Sequence, residues 1–186
     1  FKAMKLNSDG KWCIPIAIKR TLPNAAPIAD LKKRFHMQDH RLGSLSRESG
    51  VYHSPTFNEN NDQLHIVLLL EVAIGRNNHG GEEPLLVLQW ANGGCLSDWL
   101  KQNPDTCRTI RSRLSFAIQL FSGLRALHTA TAETPGTEAT VLVHQDVKPD
   151  NILLFAADDD KTGPIRLALT DFGLTVKCNS VKDRVS

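Results

Sequence analysis

Four polar side chains in the second half of the chain have the types and spacing for one reaction. Asp146, Lys148 and Asn151 lie close together, and Asp171 follows Asn151 by twenty residues in an Asp-Phe-Gly segment. A carboxylate such as Asp146 can accept a proton from a hydroxyl, and a neighbouring lysine can neutralise developing charge. Amide and carboxylate oxygens suit Mg²⁺, which also binds phosphate oxygens. The set therefore indicates phosphoryl transfer from a metal-bound nucleotide.

Predicted strands bring these residues together. Val141–Val143 predicts a short strand before the polar stretch, and the apolar runs 152–155 and 165–170 predict a β-hairpin. Because hairpin strands are antiparallel, the start of the first strand meets the end of the second. We therefore expect Asn151 and Asp171 at the same end of the sheet.

The N-terminal part of the chain predicts a second hairpin. Residues 1–5 and 12–19 predict strands, and the Asn-Ser-Asp-Gly sequence at 7–10 predicts the turn between them. Lys19 ends the second strand, directly after an Ile-Ala-Ile run.

Together these motifs resemble the catalytic domain of a eukaryotic-type serine/threonine protein kinase. Residues 144–151 are similar to its catalytic loop, 171–173 to its Asp-Phe-Gly segment and 16–19 to its nucleotide-binding strand. Lys148-Pro149 is similar to the serine/threonine branch. The resemblance implies an α+β fold of two lobes, a small antiparallel sheet with helix αC and a mainly helical C-lobe. It also implies ATP, Mg²⁺ and a protein substrate.

The resemblance implies a role for each residue of the catalytic set. Asp146 would be the catalytic base, and Lys148 would stabilise charge on the transferred phosphate. Asn151 and Asp171 would be the metal ligands. Lys19 would contact the α- and β-phosphates of ATP.

The resemblance also implies residues that bind the adenine of ATP. Ala17 would line the adenine slot, and Leu153 would form its floor. Leu88 would be the gatekeeper in front of the hinge between the lobes. Backbone groups of Gln89 and Ala91 would bond to the base, and a plain β-turn is the alternative interpretation of this segment.

The glutamate that pairs with Lys19 is expected on helix αC. A helix is predicted from about Ser44 to His53. Glu48 is the expected ATP-site partner, and Asp39 is the alternative. Tyr52 lies one turn after Glu48, at a position where the family keeps an apolar residue.

The resemblance implies a partial kinase domain over residues 1–186, truncated at both ends. Residues 1–88 would form an N-lobe without its glycine-rich loop. Residues 89–94 would be the hinge, and residues 95–186 an incomplete C-lobe that ends in the activation segment.

Apolar patterns predict the remaining elements. Leu64–Gly75 predicts a buried strand centred on 66–70, and Leu85–Leu88 predicts the next strand. Residues 95–103 predict a short helix, and residues 110–128 a longer amphipathic helix. Five recurring apolar residues of the longer helix are expected in the core: Leu114, Ala117, Ile118, Phe121 and Leu124.

The composition indicates a globular protein and gives no sign of a nucleic-acid-binding or membrane protein. The chain has 186 residues, 41% of them hydrophobic and 23% charged, as in globular proteins. Its net charge of +2 gives no indication of nucleic-acid or membrane binding, and no apolar run reaches the length of a membrane span. The four cysteines are scattered without a CxxC pair, so we expect reduced thiols in an intracellular, cytoplasmic setting.

One residue departs from the kinase pattern. Gln145 stands where the family has an arginine that pairs with a phosphorylated activation-loop residue. Gln145 has no charge, so we expect activity that does not need this contact.

Two other functions remain open, namely a pseudokinase or scaffold that binds nucleotide or a partner without turnover, and a small-molecule kinase of related fold.

Overall fold

The computed structural model describes most of the chain in eight segments, and every structural statement below concerns those residues. The segments are 2–6, 12–20, 43–53, 64–76, 80–105, 109–129, 141–157 and 165–178. The predicted turn at 7–10 and the alternative partner Asp39 lie outside them.

A four-stranded antiparallel sheet forms the first part of the fold. Its order is β1-β2-β4-β3. The strands are β1 (Lys2–Leu6), β2 (Trp12–Arg20), β3 (Leu69–Arg76) and β4 (Glu82–Gln89). The register places Ala17 opposite Leu88 and Lys19 opposite Leu86. The strands predicted at 1–5, 12–19 and 85–88 are therefore confirmed.

The predicted strand in the run Leu64–Gly75 is present as β3, but its predicted burial and its centre at 66–70 are wrong. Strand β3 begins only at Leu69, and Ile66 forms an isolated parallel bridge with Leu169. Ile66 is buried because it packs in the core, whereas β3 is an edge strand whose Val72 and Ile74 are 37% and 58% exposed. A continuous apolar run does not distinguish a buried segment from the edge strand that follows it.

Helix α1 packs between the sheet and the second part of the fold. It spans Gly43–Tyr52, as predicted from the sequence. Its buried side chains contact β4 and a 3₁₀ turn at Phe172–Leu174. They are Leu45, Glu48, Ser49, Val51 and Tyr52. Among these five residues Glu48 alone is charged, and it belongs to the site described below.

The second part contains two helices and two small sheets. The helices are α2 (Leu96–Gln102) and α3 (Ile110–Thr129). The sheets have the orders β5-β7-β8 and β6-β9. Their strands are β5 (Gly94–Cys95), β6 (Val141–Val143), β7 (Ile152–Ala156), β8 (Ile165–Leu169) and β9 (Val176–Cys178). Both predicted helices and the predicted hairpin are confirmed.

The predicted core stripe of α3 is wrong for its largest residues. Leu114, Ile118 and Phe121 are 57%, 58% and 67% exposed. The helix instead buries Gly123, Ala126 and Leu127. Both faces of α3 carry apolar residues at helical spacing, so periodicity alone could not identify the face that packs against β8.

A side-chain amide and a close backbone approach hold α3 against β8. Gln119 donates through Nε2 to the Ile165 carbonyl at 3.2 Å and accepts the Leu167 N–H at 2.7 Å. Gly123 lets the helix approach closely, because a Cβ there would lie 2.8 Å from the His65 carbonyl oxygen.

One hydrophobic core joins the two parts. It includes Leu86 and Leu88 from the first sheet, Leu127 from α3, and Leu154 and Leu167 from β7 and β8. The predicted α+β fold, with a small antiparallel sheet, one helix against it and a second lobe that contains two helices, is confirmed. Among the described helices, none is long and apolar enough to cross a membrane.

Candidate functional site

Lys19 links three elements that are far apart in the sequence. Its Nζ lies 2.6 Å from Oε2 of Glu48 in α1 and 2.7 Å from Oδ1 of Asp171 after β8. The Glu48 side chain is fully buried, whereas the side chains of Lys19 and Asp171 are 33% and 44% exposed. The expected Lys19–Glu48 pair is thus present, and its buried end anchors the lysine at the mouth of the site.

Burial and charge act differently on the two members of this pair. Burial raises the pKa of Glu48 above its usual value, and the positive charge of Lys19 offsets this only in part. Burial alone would lower the pKa of Lys19, but Glu48 and Asp171 outweigh it and the net shift is upward. Two carboxylates therefore keep Lys19 charged.

A stack of three rings connects α1 with the loop that follows β6. The Phe172 ring lies 5.2 Å from the rings of both Tyr52 and His144, in edge-on arrangements. Burial raises the pKa of the Tyr52 hydroxyl well above its usual value, and the charge of Glu48 adds to the effect. The stack places Asp171, which precedes Phe172, beside α1.

The turn that begins at Asp171 has an unusual backbone. Asp171 has φ 64° and ψ 67°, the left-handed region that side-chain-bearing residues seldom adopt. The Thr175 N–H donates to the Phe172 carbonyl at 3.0 Å. Arg47 of α1 donates through Nη1 to the Gly173 carbonyl, also at 3.0 Å.

His144 fixes the catalytic loop to the end of β8. It is buried, and its Nε2 lies 3.0 Å from the Thr170 carbonyl. The Asp146 N–H donates to His144 Nδ1 at 3.3 Å. These two partners require the tautomer with the proton on Nε2. The next residue, Gln145, has φ 65° and lets the loop turn towards solvent.

Three residues of the predicted catalytic set contact one another directly. Lys148 Nζ lies 2.7 Å from Oδ2 of Asp146. Asn151 Nδ2 donates to the same Oδ2 and to the Asp146 carbonyl, both at 2.9 Å. The hydrogen bond from Lys148 is the main reason that the pKa of the Asp146 carboxyl is lowered, and Asn151 contributes. Asp146 in turn raises the pKa of Lys148.

Asn151 and Asp171 fit the expected metal ligands. Both hydrogen-bond partners of Asn151 Nδ2 are acceptors, so the Oδ1 atom must point elsewhere. The Thr170 N–H donates to the Asn151 carbonyl at 3.1 Å, which brings Asp171 next to Asn151. The described residues contain no group of three or more His, Cys, Asp or Glu side chains that could hold a metal ion. Two hard oxygen donors nevertheless suit Mg²⁺, which keeps several waters.

The expected hinge is tied to strand β7. Gly93 donates to the Leu154 carbonyl at 2.9 Å, and a Cβ at Gly93 would lie 2.6 Å from the Leu154 side chain. Asn92 bonds to the backbone of Ala156 in both directions, at 2.8 and 3.1 Å. The Ala91 N–H has no partner among the described residues, which leaves it available to a ligand.

The remaining predicted ATP-site residues lie around this hinge. Leu88 is buried in the core, and Ala17 opposite it is half-buried. Leu153 is half-buried in β7. Gln89 uses its side-chain oxygen to accept a bond from Arg166 at 3.1 Å, and its backbone N–H donates to Leu68.

The sequence did not reveal three of these contacts. Arg47, Asn92 and Arg166 reach the site through side-chain hydrogen bonds to distant elements. Adjacent helix residues point in different directions, and Arg47 is exposed whereas Glu48 is buried, so the predicted position of Glu48 gave no signal for Arg47.

The family model for protein tyrosine and serine/threonine kinases matches residues 47–185. This match covers more than half of the chain and includes most of the residues described above. The chain therefore belongs to the protein kinase family.

Curated relatives agree with this family. A serine/threonine-protein kinase-like protein of Arabidopsis thaliana is 29% identical over 57% of the chain and 26% of its own length. The serine/threonine-protein kinase pelle of Drosophila melanogaster is 37% identical over 50% of the chain and 17% of its own length. A serine/threonine-protein kinase of Drosophila persimilis is 29% identical over 89% of the chain and 18% of its own length. The chain thus spans about a quarter or less of these relatives.

Proposed function

We propose that this chain carries the site for ATP-dependent phosphoryl transfer to serine or threonine residues of a protein substrate. The observation that carries the proposal is the position of Lys19 between Glu48 and Asp171. That arrangement requires the first sheet, α1 and the segment after β8 to meet, and it holds a cation beside the expected metal ligand.

Lys19 can hold the triphosphate while it keeps both carboxylate contacts. An ammonium group has three protons, and Glu48 and Asp171 accept two of them. The third can be donated to an oxygen of the α- or β-phosphate of ATP. Because its pKa is raised, Lys19 stays charged throughout the physiological pH range.

The hinge can hold the adenine. The Ala91 N–H, which has no partner among the described residues, is the expected donor, and the backbone carbonyl of Gln89 is the expected acceptor. Ala17 and Leu153 would contact the two faces of the base. The hydrogen bonds from Asn92 and Gly93 to β7 keep these backbone groups in place before the ligand arrives, which reduces the entropy cost of binding.

Asp146 can orient and deprotonate the substrate hydroxyl. Its lowered pKa keeps it ionised at neutral pH, and Asn151 restrains its carboxylate. Lys148 lies beside it with a raised pKa and can neutralise charge on the transferred phosphate. Asn151 Oδ1 and the Asp171 carboxylate would hold Mg²⁺, which would supply further neutralisation of the phosphate oxygens.

The substrate class follows from the catalytic loop and the relatives. Lys148-Pro149 is similar to the serine/threonine branch, and the two Drosophila relatives named above are called serine/threonine-protein kinases. The proposal also includes the hinge at residues 89–94, between an N-lobe that ends at residue 88 and a C-lobe that begins at residue 95. It further includes an intracellular location. Cys95 and Cys178 are free thiols, in agreement with a reducing compartment.

The decisive experiment compares the full-length wild-type protein with Asp146→Asn. Transfer of the γ-phosphate from Mg-ATP to a generic basic protein is measured with phosphoamino-acid analysis, and ATP binding is measured in parallel. We expect label on serine or threonine, and a fall of about 10²–10⁴-fold in kcat for the variant. Asp105→Asn, at an exposed aspartate outside the catalytic loop, is the matched control.

Each other outcome selects an alternative. ATP binding by the wild type without any transfer would favour a pseudokinase or scaffold. Transfer to a panel of small metabolites but to no protein would favour a small-molecule kinase. Equal transfer by the wild type and Asp146→Asn would show that Asp146 is not the base.

A further inference from the structure

The turn that presents Asp171 needs support from its surroundings. Its left-handed backbone at Asp171 is unfavourable for a residue with a side chain, so tertiary contacts must hold it. The Phe172 ring supplies an apolar contact to α1, and Lys19 supplies an ionic contact to the Asp171 side chain. Neither of these contacts binds the turn's backbone directly.

Arg47 makes the contact that does. Its Nη1 donates to the Gly173 carbonyl at 3.0 Å, a hydrogen bond between a charged donor and a peptide oxygen. Among the described residues, no other cationic side chain bonds to the backbone of residues 171–175. Helix α1 therefore holds the segment in two ways. Glu48 and Lys19 connect it to the Asp171 carboxylate, and at the backbone Arg47 bonds to the Gly173 carbonyl while the Phe172 N–H faces the Glu48 carboxylate.

These two connections respond differently to a ligand. The Asp171 carboxylate can be bound by Lys19 or shared with a metal ion, so its connection to α1 varies with the occupant of the site. The Gly173 carbonyl faces Arg47 and is not one of the expected metal ligands. The backbone connection is therefore independent of what the carboxylate binds.

We infer that Arg47 is a positioning residue that holds the Asp171–Gly173 turn in the geometry in which Asp171 can accept a metal ion. This inference rests on the proposed function for its catalytic meaning. Gln145 on the neighbouring loop is neutral and its side chain is exposed, so it supplies no positive charge that could hold the turn.

The test compares Arg47→Met, which keeps an unbranched apolar side chain but cannot donate, with Arg47→Lys, which keeps a charged donor. Arg76→Met is the matched control, at an exposed arginine at the end of β3. Two quantities are measured on the full-length protein. The first is amide hydrogen exchange of residues 172–175 without nucleotide, and the second is ATP affinity with and without Mg²⁺.

We expect Arg47→Met to speed exchange of the Thr175 amide by about tenfold, because its bond to Phe172 depends on the turn. ATP affinity in Mg²⁺ should fall by about tenfold, and affinity without Mg²⁺ should stay unchanged. Arg47→Lys should recover part of both losses, and Arg76→Met should match the wild type.

Unchanged exchange in Arg47→Met would overturn the inference, as would an equal loss of ATP affinity with and without Mg²⁺. If the wild type binds no ATP at all, the proposed function fails. The exchange measurement still decides whether Arg47 holds the turn, so the two failures are distinguishable.

Discussion

The site contains two ion-paired lysines whose surroundings differ. Lys148 pairs with Asp146, two residues away on one loop, and the Lys148 side chain is about half exposed. Lys19 pairs with Glu48 and Asp171, which lie on other elements, and one of these partners is fully buried. One pair is held by the local chain, and the other exists only when three elements are packed together.

Because of this difference, we expect the two lysines to affect different steps of the proposed reaction. The Asp146–Lys148 pair can persist whenever the loop is folded, so changing it should affect the chemical step. The cluster of Lys19, Glu48 and Asp171, called the Lys19 cluster, forms only when α1 and the Asp171 turn pack together. Changing it should therefore affect ligand binding. The following predictions test that separation.

Replacing Lys148 should have the largest effect. We expect Lys148→Met to lower kcat by about 10²–10³-fold with little change in melting temperature, because an exposed ion pair contributes little to stability. Lys101→Met is the matched control, since Lys101 makes a similar exposed pair with Asp98 at 2.9 Å. Steady-state kinetics and thermal unfolding check the prediction. A large drop in stability for Lys148→Met alone would contradict it.

Replacing Glu48 should have an intermediate effect, on binding. Glu48→Gln removes one partner of Lys19 but leaves Asp171, so we expect ATP affinity to fall by about tenfold. The control is Glu71→Gln, which breaks the exposed pair with Lys5 at 3.1 Å. Equilibrium ATP titration distinguishes them. If both variants lose affinity equally, the Lys19 cluster has no special role.

Acidification should reproduce part of the Glu48 effect. Because the pKa of Glu48 is raised in the folded protein, it gains a proton at a higher pH than an ordinary glutamate. Its contribution to folding stability is fully present below the unfolded pKa and is lost as the pH rises through the raised pKa. Lowering the pH should therefore weaken ATP binding through Lys19 without Glu48 itself destabilising the fold.

The measurement is ATP affinity against pH for the wild type and Glu48→Gln. The wild type should lose affinity on acidification several-fold more than the variant, which has no proton to gain at this position. Asp146 cannot account for the difference, since its pKa is lowered. Parallel curves for the two proteins would show that another group is responsible.

Removing phosphoryl groups from the residues of the protein itself should have the smallest effect on activity. Gln145 cannot form a charged pair with a phosphorylated residue, and β9 already pairs with β6 at Val143 and Val176. We expect phosphatase treatment of the full-length protein to leave kcat unchanged within twofold. A kinase assay before and after treatment, with mass spectrometry to verify dephosphorylation, checks this. Loss of activity would refute the role given to Gln145.

Sequence reasoning succeeded best where spacing alone determines proximity. Asp146, Lys148 and Asn151 had to be neighbours because few residues separate them, and the structure finds them in contact. The meeting of Asn151 with Asp171 followed from the antiparallel hairpin. Glu48 was chosen through the family resemblance, since the sequence offered no spacing argument against Asp39.

Sequence reasoning failed where two surfaces look alike. Helix α3 has apolar residues on two faces. The sequence predicts that the face with Ile118 is buried, whereas the structure buries the face with Leu127. The same limit applies to Ile66 and Ile74, which belong to one apolar run but differ completely in exposure. Contacts such as the one from Arg47 have no periodicity at all, so the fold is needed to find them.

The Gln119 amide has a consequence for the solubility of the chain. Strand β8 is the outer strand of its sheet, and an outer strand with free peptide groups can recruit strands from other molecules. Here Gln119 occupies the peptide groups of Ile165 and Leu167, and His65 and Val67 occupy those of Leu169. The Gln119 side chain and residues 65–67 thus bond to peptide groups at this edge of the sheet, which protects the strand from cross-β aggregation.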